Sequence, residues 1–149
     1  MSKHDNLAYL RDMQDACLKV RVYVNGFTWD SFAVDGMRQD AVIRQLMVLG
    51  EASNRVSQEY RDSHPDIPWQ KIKAFRNVMA HEYDRVMPEV VWDVTQKNVP
   101  EILKQVESLI EHYEEQEKSV AVPIDEPEQR AIYYDTEDKE WQDDRDDDR

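Results

Sequence analysis

Apolar residues recur along most of this chain at steps of three and four, the spacing that gathers side chains on one face of an α-helix. Leu7, Leu10, Cys17, Val20 and Val24 predict a first helix over about 6–25, closed by Gly26 where a helix C-terminus favours glycine. Phe27, Trp29 and Phe32 in the connection that follows supply apolar surface to lie against a bundle. A second helix is predicted from Gly36 to Arg61, with Asp35 as its N-cap. Its stripe is Val42, Leu46, Leu49, Val56 and Tyr60, with Ile43, Met47 and Gly50 alongside. A glycine inside a helix costs about 1 kcal/mol relative to alanine. Gly50 therefore predicts that another helix comes close at that point.

"SHPDIPW" is punctuation, with Pro68 suited to the first turn of a new helix and Asp66 near its positive end. The third helix is predicted over Trp69–Tyr83. A short link at "DRVMP" leads to a last helical stretch from Glu89 to Glu115. Within it, Asn98 and Glu101 have capping-box spacing, and Pro100 predicts a break or kink near Asn98. Ile102, Val106, Leu109 and Tyr113 then rebuild the stripe. With only three glycines the chain is poorly supplied for the hairpins of a sandwich or barrel. The expected fold is all-α, an up-down bundle of four to five helices.

Length and charge refine this picture. The 149 residues suffice for one domain with a real core, and one cysteine, Cys17, cannot form an internal disulfide. No apolar run approaches the roughly 20 residues needed to span a bilayer, and "MSKHDNLAYL" lacks a signal-peptide core. A cytoplasmic protein with no membrane association is the expectation. The chain holds 32 acids and 19 bases, a net charge of −13. Residues 119–149 carry 12 of those acids and 4 of the bases, so most of the excess sits in this segment, whose composition predicts a flexible tail. The expected organisation is a helical domain over 1–118 followed by the tail at 119–149. A net negative chain binds nucleic acid poorly by general attraction. Any RNA-directed chemistry must therefore reside in a local site.

One stretch offers such a site. From Trp69 to Met79 there are three bases (Lys71, Lys73, Arg76) and no acid, and "RNVMAHEYDR" follows from residue 76. On a straight helix Arg76 and Tyr83 would project nearly in line, while His81 would lie about 140° around from Arg76, below Asn77. Arg76 and His81 of one helix thus cannot meet at a single atom. A second copy across a two-fold axis would bring two arginines and two histidines into one cleft, which predicts a homodimer with a shared site. Arginine grips phosphate through its planar fork and histidine moves protons near neutral pH. The pair suits cleavage of RNA through its own 2′-hydroxyl, with no metal and no cofactor. His81 would carry protons, Arg76 would stabilise charge on phosphorus oxygens, and Asn77 would support one or the other. The bland alternatives are a solvated histidine, an Arg76 paired with Glu51 or Glu82, and Tyr83 as a core anchor.

"DAVIRQLMVLGEA" (40–52), "HPDIPWQKIKAFRNVMAHEY" (64–83) and "VVWDVTQKNVPEI" (90–102) together resemble the HepT-like branch of the HEPN ribonucleases. These are toxins of type VII-like two-gene toxin–antitoxin systems. The resemblance implies a dimerising helical bundle with Arg76 and His81 as the catalytic pair and Asn77 as the polar residue after the arginine. It further implies that Tyr83 is the tyrosine adenylylated by the antitoxin, an MntA-type nucleotidyltransferase that uses ATP and magnesium. Glu51 and Arg44 match family positions with no role assigned. The acidic extension departs from the family pattern. A rival reading is a non-catalytic helical dimer that binds and docks a nucleotidyltransferase.

Overall fold

The computed structural model describes residues 3–120, so most of the acidic segment at 119–149 lies outside the described residues. All regular structure among the described residues is helical. The long elements are α1 (Lys3–Val24), α3 (Gly36–Arg55), α5 (Trp69–His81) and α7 (Val99–Val120). Three short helices join them: α2 (Trp29–Ala33), α4 (Gln58–Ser63) and α6 (Pro88–Asp93). No described helix is long and apolar enough to cross a membrane.

Side-chain contacts give each helix its direction. Arg38, early in α3, donates to the Tyr23 carbonyl at the end of α1, while Asn6 at the start of α1 meets Ser57 just beyond α3. Hence α1 and α3 run antiparallel. Tyr83, just past α5, reaches Asp40 near the start of α3, and Arg76 in mid-α5 reaches Glu51 in α3, so α5 runs antiparallel to α3. Arg11 of α1 pairs with Glu114 of α7 at 3.2 Å, whereas Arg21 and Val24 share a surface cleft with Val99 and Leu103 at the other end. The result is the expected up-down bundle.

Inside it the predicted stripes converge. Leu10, Met13, Cys17, Val20, Val42, Leu46, Leu49, Val91, Val99, Ile102 and Val106 are all buried. Each such aliphatic side chain contributes on the order of 1.5–3 kcal/mol through water exclusion. Phe32 of α2 is wholly buried against the Trp92 ring of α6, with centroids 5.1 Å apart. Burial, with the charge of Glu107 as a lesser cause, pushes the Cys17 thiol up to about 12. It stays protonated and unreactive.

Several boundaries differ from the sequence expectation. The second predicted helix does not run to Arg61: it stops at Arg55, Val56 turns to extended angles, and Ser57 caps α4 by accepting from the Tyr60 N–H. Buried Asn6 drives this break. Its Oδ1 accepts from the Ser57 N–H at 3.0 Å and its Nδ2 donates to Ser57 Oγ at 3.1 Å. Those bonds satisfy backbone and side-chain groups that a continuous helix would have paired differently. Asp35 caps α3 as expected, accepting from the Arg38 N–H at 3.0 Å. Gly26 closes α1 at φ 76°, a conformation that a side chain disfavours.

The last stretch is not broken at Asn98. Val94–Asn98 forms a π segment, the Val99 N–H donates to Val94 O, and Val99 keeps helical angles as α7 begins. Asn98 is therefore inside a continuous helical path and cannot be the cap of a capping box, which needs non-helical angles. A wider turn accommodates Pro100, which has no N–H to give and whose ring crowds the preceding turn.

Candidate functional site

The placement of Arg76 begins with the anchoring of α5. Trp69 is buried and its indole N–H donates to the His64 carbonyl at 2.8 Å, which ties the helix start to the preceding loop. The Ile72 N–H closes the first turn on the Pro68 carbonyl. Trp69, Ile72 and Met79 then face the core. Arg76 falls four residues after Ile72 and three before Met79, so it emerges from the same inward flank.

A long cationic side chain there needs room, and Gly50 supplies it. A Cβ built on Gly50 would overlap Cβ and Cγ of Arg76. The close approach expected from Gly50 is thus the seat of the Arg76 stem on the α3 backbone. Arg76 Nε is buried without a hydrogen-bond partner. One terminal nitrogen donates to Asn77 Oδ1 at 3.3 Å and the other meets Glu51 Oε1 at 3.4 Å. The side chain is 29% exposed and Glu51 49%. A pair that open contributes at most about 1 kcal/mol. The packing against Gly50, more than the ion pair, determines where this guanidinium sits.

His81 is the last residue of α5 and is exposed. It has no hydrogen-bond or ion-pair partner among the described residues, and none links it to Arg76. It shares the outer face of the helix with Ala74, Asn77 and Val78, of which Val78 is 45% exposed. A single chain therefore joins Arg76, Asn77 and Glu51 and leaves His81 apart.

Tyr83 corrects the sequence expectation. The helix ends at His81, and Tyr83 begins a 3-10 turn, Tyr83–Arg85, so it does not lie in line with Arg76. Nor is it a core anchor, being 49% exposed. Its hydroxyl donates to Asp40 Oδ1. That bond holds the phenol above its ordinary range, with burial and the Asp40 charge as lesser causes. Asp40 was missed in the sequence because it is exposed, forty-three residues away, and part of no motif. Glu51, by contrast, was a legible partner for Arg76. Arg44 is exposed on α3.

Comparison with known proteins matches this chain to a family. The model described as "Ribonuclease HepT-like" matches residues 13–109, a span that includes Gly50, Arg76, His81 and Tyr83. A protein of Methanocaldococcus jannaschii named "Putative RNase MJ0127" is 32% identical over 121 residues, covering 80% of this chain and 100% of its own. "Probable ribonuclease HepT" of Thermococcus cleftensis is 29% identical over 107 residues, 72% of this chain and 97% of its own. No solved structure matches. The family model covers well over half of the chain, and the relative of 32% identity is covered end to end. The chain belongs to the HepT-like ribonuclease family.

Proposed function

We propose that this protein is a metal-independent endoribonuclease whose site is shared between two copies of the chain, and that it acts as the toxin of a two-gene system. The reading assigns the activity to a helical domain over 1–118, with 119–149 as an acidic extension. The observation that carries it is the division within α5: Arg76 is seated against α3, whereas His81 stands exposed on the outer face with no partner among the described residues. Two such helices facing each other would complete what one lacks, and the exposed, apolar Val78 between the two residues suits that contact.

The chemistry follows from the groups. In the shared cleft one His81 takes the proton of the ribose 2′-hydroxyl as its oxygen attacks the neighbouring phosphorus. The bond from phosphorus to the 5′-oxygen breaks, and the second His81 gives that oxygen a proton. The products are a 2′,3′-cyclic phosphate and a 5′-hydroxyl. Arg76 neutralises charge on the phosphorus oxygens during the displacement, and Asn77, bonded to Arg76, holds its fork.

Regulation would occur at Tyr83. Its exposed hydroxyl oxygen would attack the α-phosphorus of ATP on an MntA-type nucleotidyltransferase antitoxin, giving up its proton to the Asp40 carboxylate it already meets, releasing pyrophosphate and leaving adenylate on the tyrosine. The added bulk and negative phosphate would exclude an RNA backbone.

Wild type, His81→Ala and Arg76→Ala, assayed for growth arrest and for RNA cleavage with magnesium chelated, test the proposal. His81→Ala should lower cleavage by about 10²–10⁴-fold, the usual worth of a positioned proton-transfer group, and Arg76→Ala by about 10²–10³-fold, that of a charge-stabilising donor. Cleavage that survives both substitutions removes the mechanism. Growth arrest without any cut RNA favours the rival reading, a non-catalytic dimer that docks a nucleotidyltransferase.

A further inference from the structure

We infer that Gly50 is a positioning residue for RNA cleavage, acting through Arg76: the bare α3 backbone at this point aims the guanidinium. The inference rests on the proposed role of Arg76. Three independent features of the site lead to it. Arg76 occupies the inward flank of α5, between buried Ile72 and Met79, where a long cation would ordinarily force the helices apart. Gly50 faces it so closely that a methyl group would overlap both Cβ and Cγ of the arginine. And Arg76 Nε is buried with no hydrogen-bond partner among the described residues, as expected of a stem clasped along its length rather than resting on the surface.

Rotation of a clasped stem is restricted, so the terminal nitrogens emerge along one path toward Asn77 and Glu51. The distances to those two partners, 3.3 and 3.4 Å, are long for strong bonds. They trim the direction of the guanidinium but do not set it. Adding one carbon at Gly50 cannot be absorbed by a flexible side-chain tip, because the clash is with the root of the arginine. Either α5 moves outward or the Arg76 stem swings to another rotamer. Both displace the guanidinium while leaving His81, Asn77 and Tyr83 chemically intact.

The test uses the full-length protein and compares Gly50→Ala, Arg76→Ala and Val106→Ala, the last a buried α7 position away from the site. RNA cleavage is measured as kcat and KM, folding by circular dichroism, and side-chain Nε–H exchange by NMR. A displacement of about an ångström can lower turnover on the order of 10²-fold. Gly50→Ala should therefore lose about that much kcat, with KM changed little. Its Arg76 Nε–H should exchange much faster than in wild type, while that of Arg61, whose Nε is also buried without a partner, should not change. Val106→Ala should be less stable yet keep its kcat when folded.

If Arg76→Ala abolishes cleavage but Gly50→Ala retains full kcat or leaves the Arg76 exchange rate unchanged, the inference fails and the functional reading stands. If Arg76→Ala itself cleaves normally, both fall. Should Gly50→Ala not fold, the wild-type protein decides. Slow Arg76 Nε–H exchange supports the clasp, and exchange at the rate of a free side chain overturns it.

Discussion

The two flanks of α5 are built on different physics. On the inner flank, Trp69, Ile72, Arg76 and Met79 are fixed by packing against the rest of one chain, down to a contact that only glycine permits. On the outer flank, Ala74, Asn77, Val78 and His81 meet only partial cover, and His81 has no partner among the described residues. Nothing within the described chain draws His81 inward, because it follows the last core residue of the helix, Met79, by two positions, about half a turn around the axis. If the proposed roles hold, the phosphate-binding half of the site would be organised by folding, whereas the proton-transfer half would await association with a second copy.

This contrast is most sharply tested at its two ends. His81→Ala should lower RNA cleavage by about 10²–10⁴-fold. It should leave the unfolding free energy within about 0.5 kcal/mol, since it removes an exposed side chain. Arg76→Ala should lose comparable activity but also change thermal stability, because its stem fills the space over Gly50. Equal stability in the two variants would erase the distinction between the flanks. Next in size, Met79→Ala should destabilise the fold by about 2–5 kcal/mol in urea titration, as expected for a large side chain removed from a tight core. Val78→Ala, one position away, should cost the single chain far less.

A smaller effect belongs to the break between α3 and α4. Replacing Ser57 with alanine should cost about 1 kcal/mol, the usual worth of a helix cap, read from the denaturant midpoint. The smallest change is local to Tyr83. Asp40→Ala should let the phenol titrate nearer its ordinary range, observed as an alkaline shift in ultraviolet absorbance that moves to lower pH. Stability should respond to pH in a matching direction. Burial raises the acid groups of Tyr60 and Cys17, so the unfolded chain loses these protons first on going alkaline. Their contribution is complete below the unfolded values and declines as pH rises past them. Melting temperature should therefore fall from about pH 9 upward.

The helices were legible because burial imposes a three-and-four rhythm that survives in the order of residues. Gly50 was legible for the opposite reason: it violates helix preference, and the close Arg76 contact explains the violation. The early stop at Arg55 was not visible, since the stripe continues through Val56 and Tyr60 while the bond that ends the helix comes from Asn6, fifty-one residues earlier. Tyr83 was misplaced by extending a regular helix through Glu82, where the chain turns to φ −128°. The motif alone singled out Arg76 and His81 as the residues to propose for the site. Which of them the single chain would hold could not, because that depends on what α3 presents opposite each.

The π segment Val94–Asn98 carries a quieter consequence. It stores one surplus residue between α6 and α7 without any visible loop, so it acts as a phase adjuster. Removing a single residue there would let α6 run into α7 with ordinary winding and leave α7 in phase, because the wide turn is what absorbs the surplus residue. Ile102, Val106 and Ile110 would keep facing the interior, since α7 would follow α6 in the phase of an uninterrupted helix. A gene carrying that three-nucleotide deletion would still encode every side chain of the proposed site and keep the wall against which the bundle closes, losing only the wide turn that makes room for Pro100.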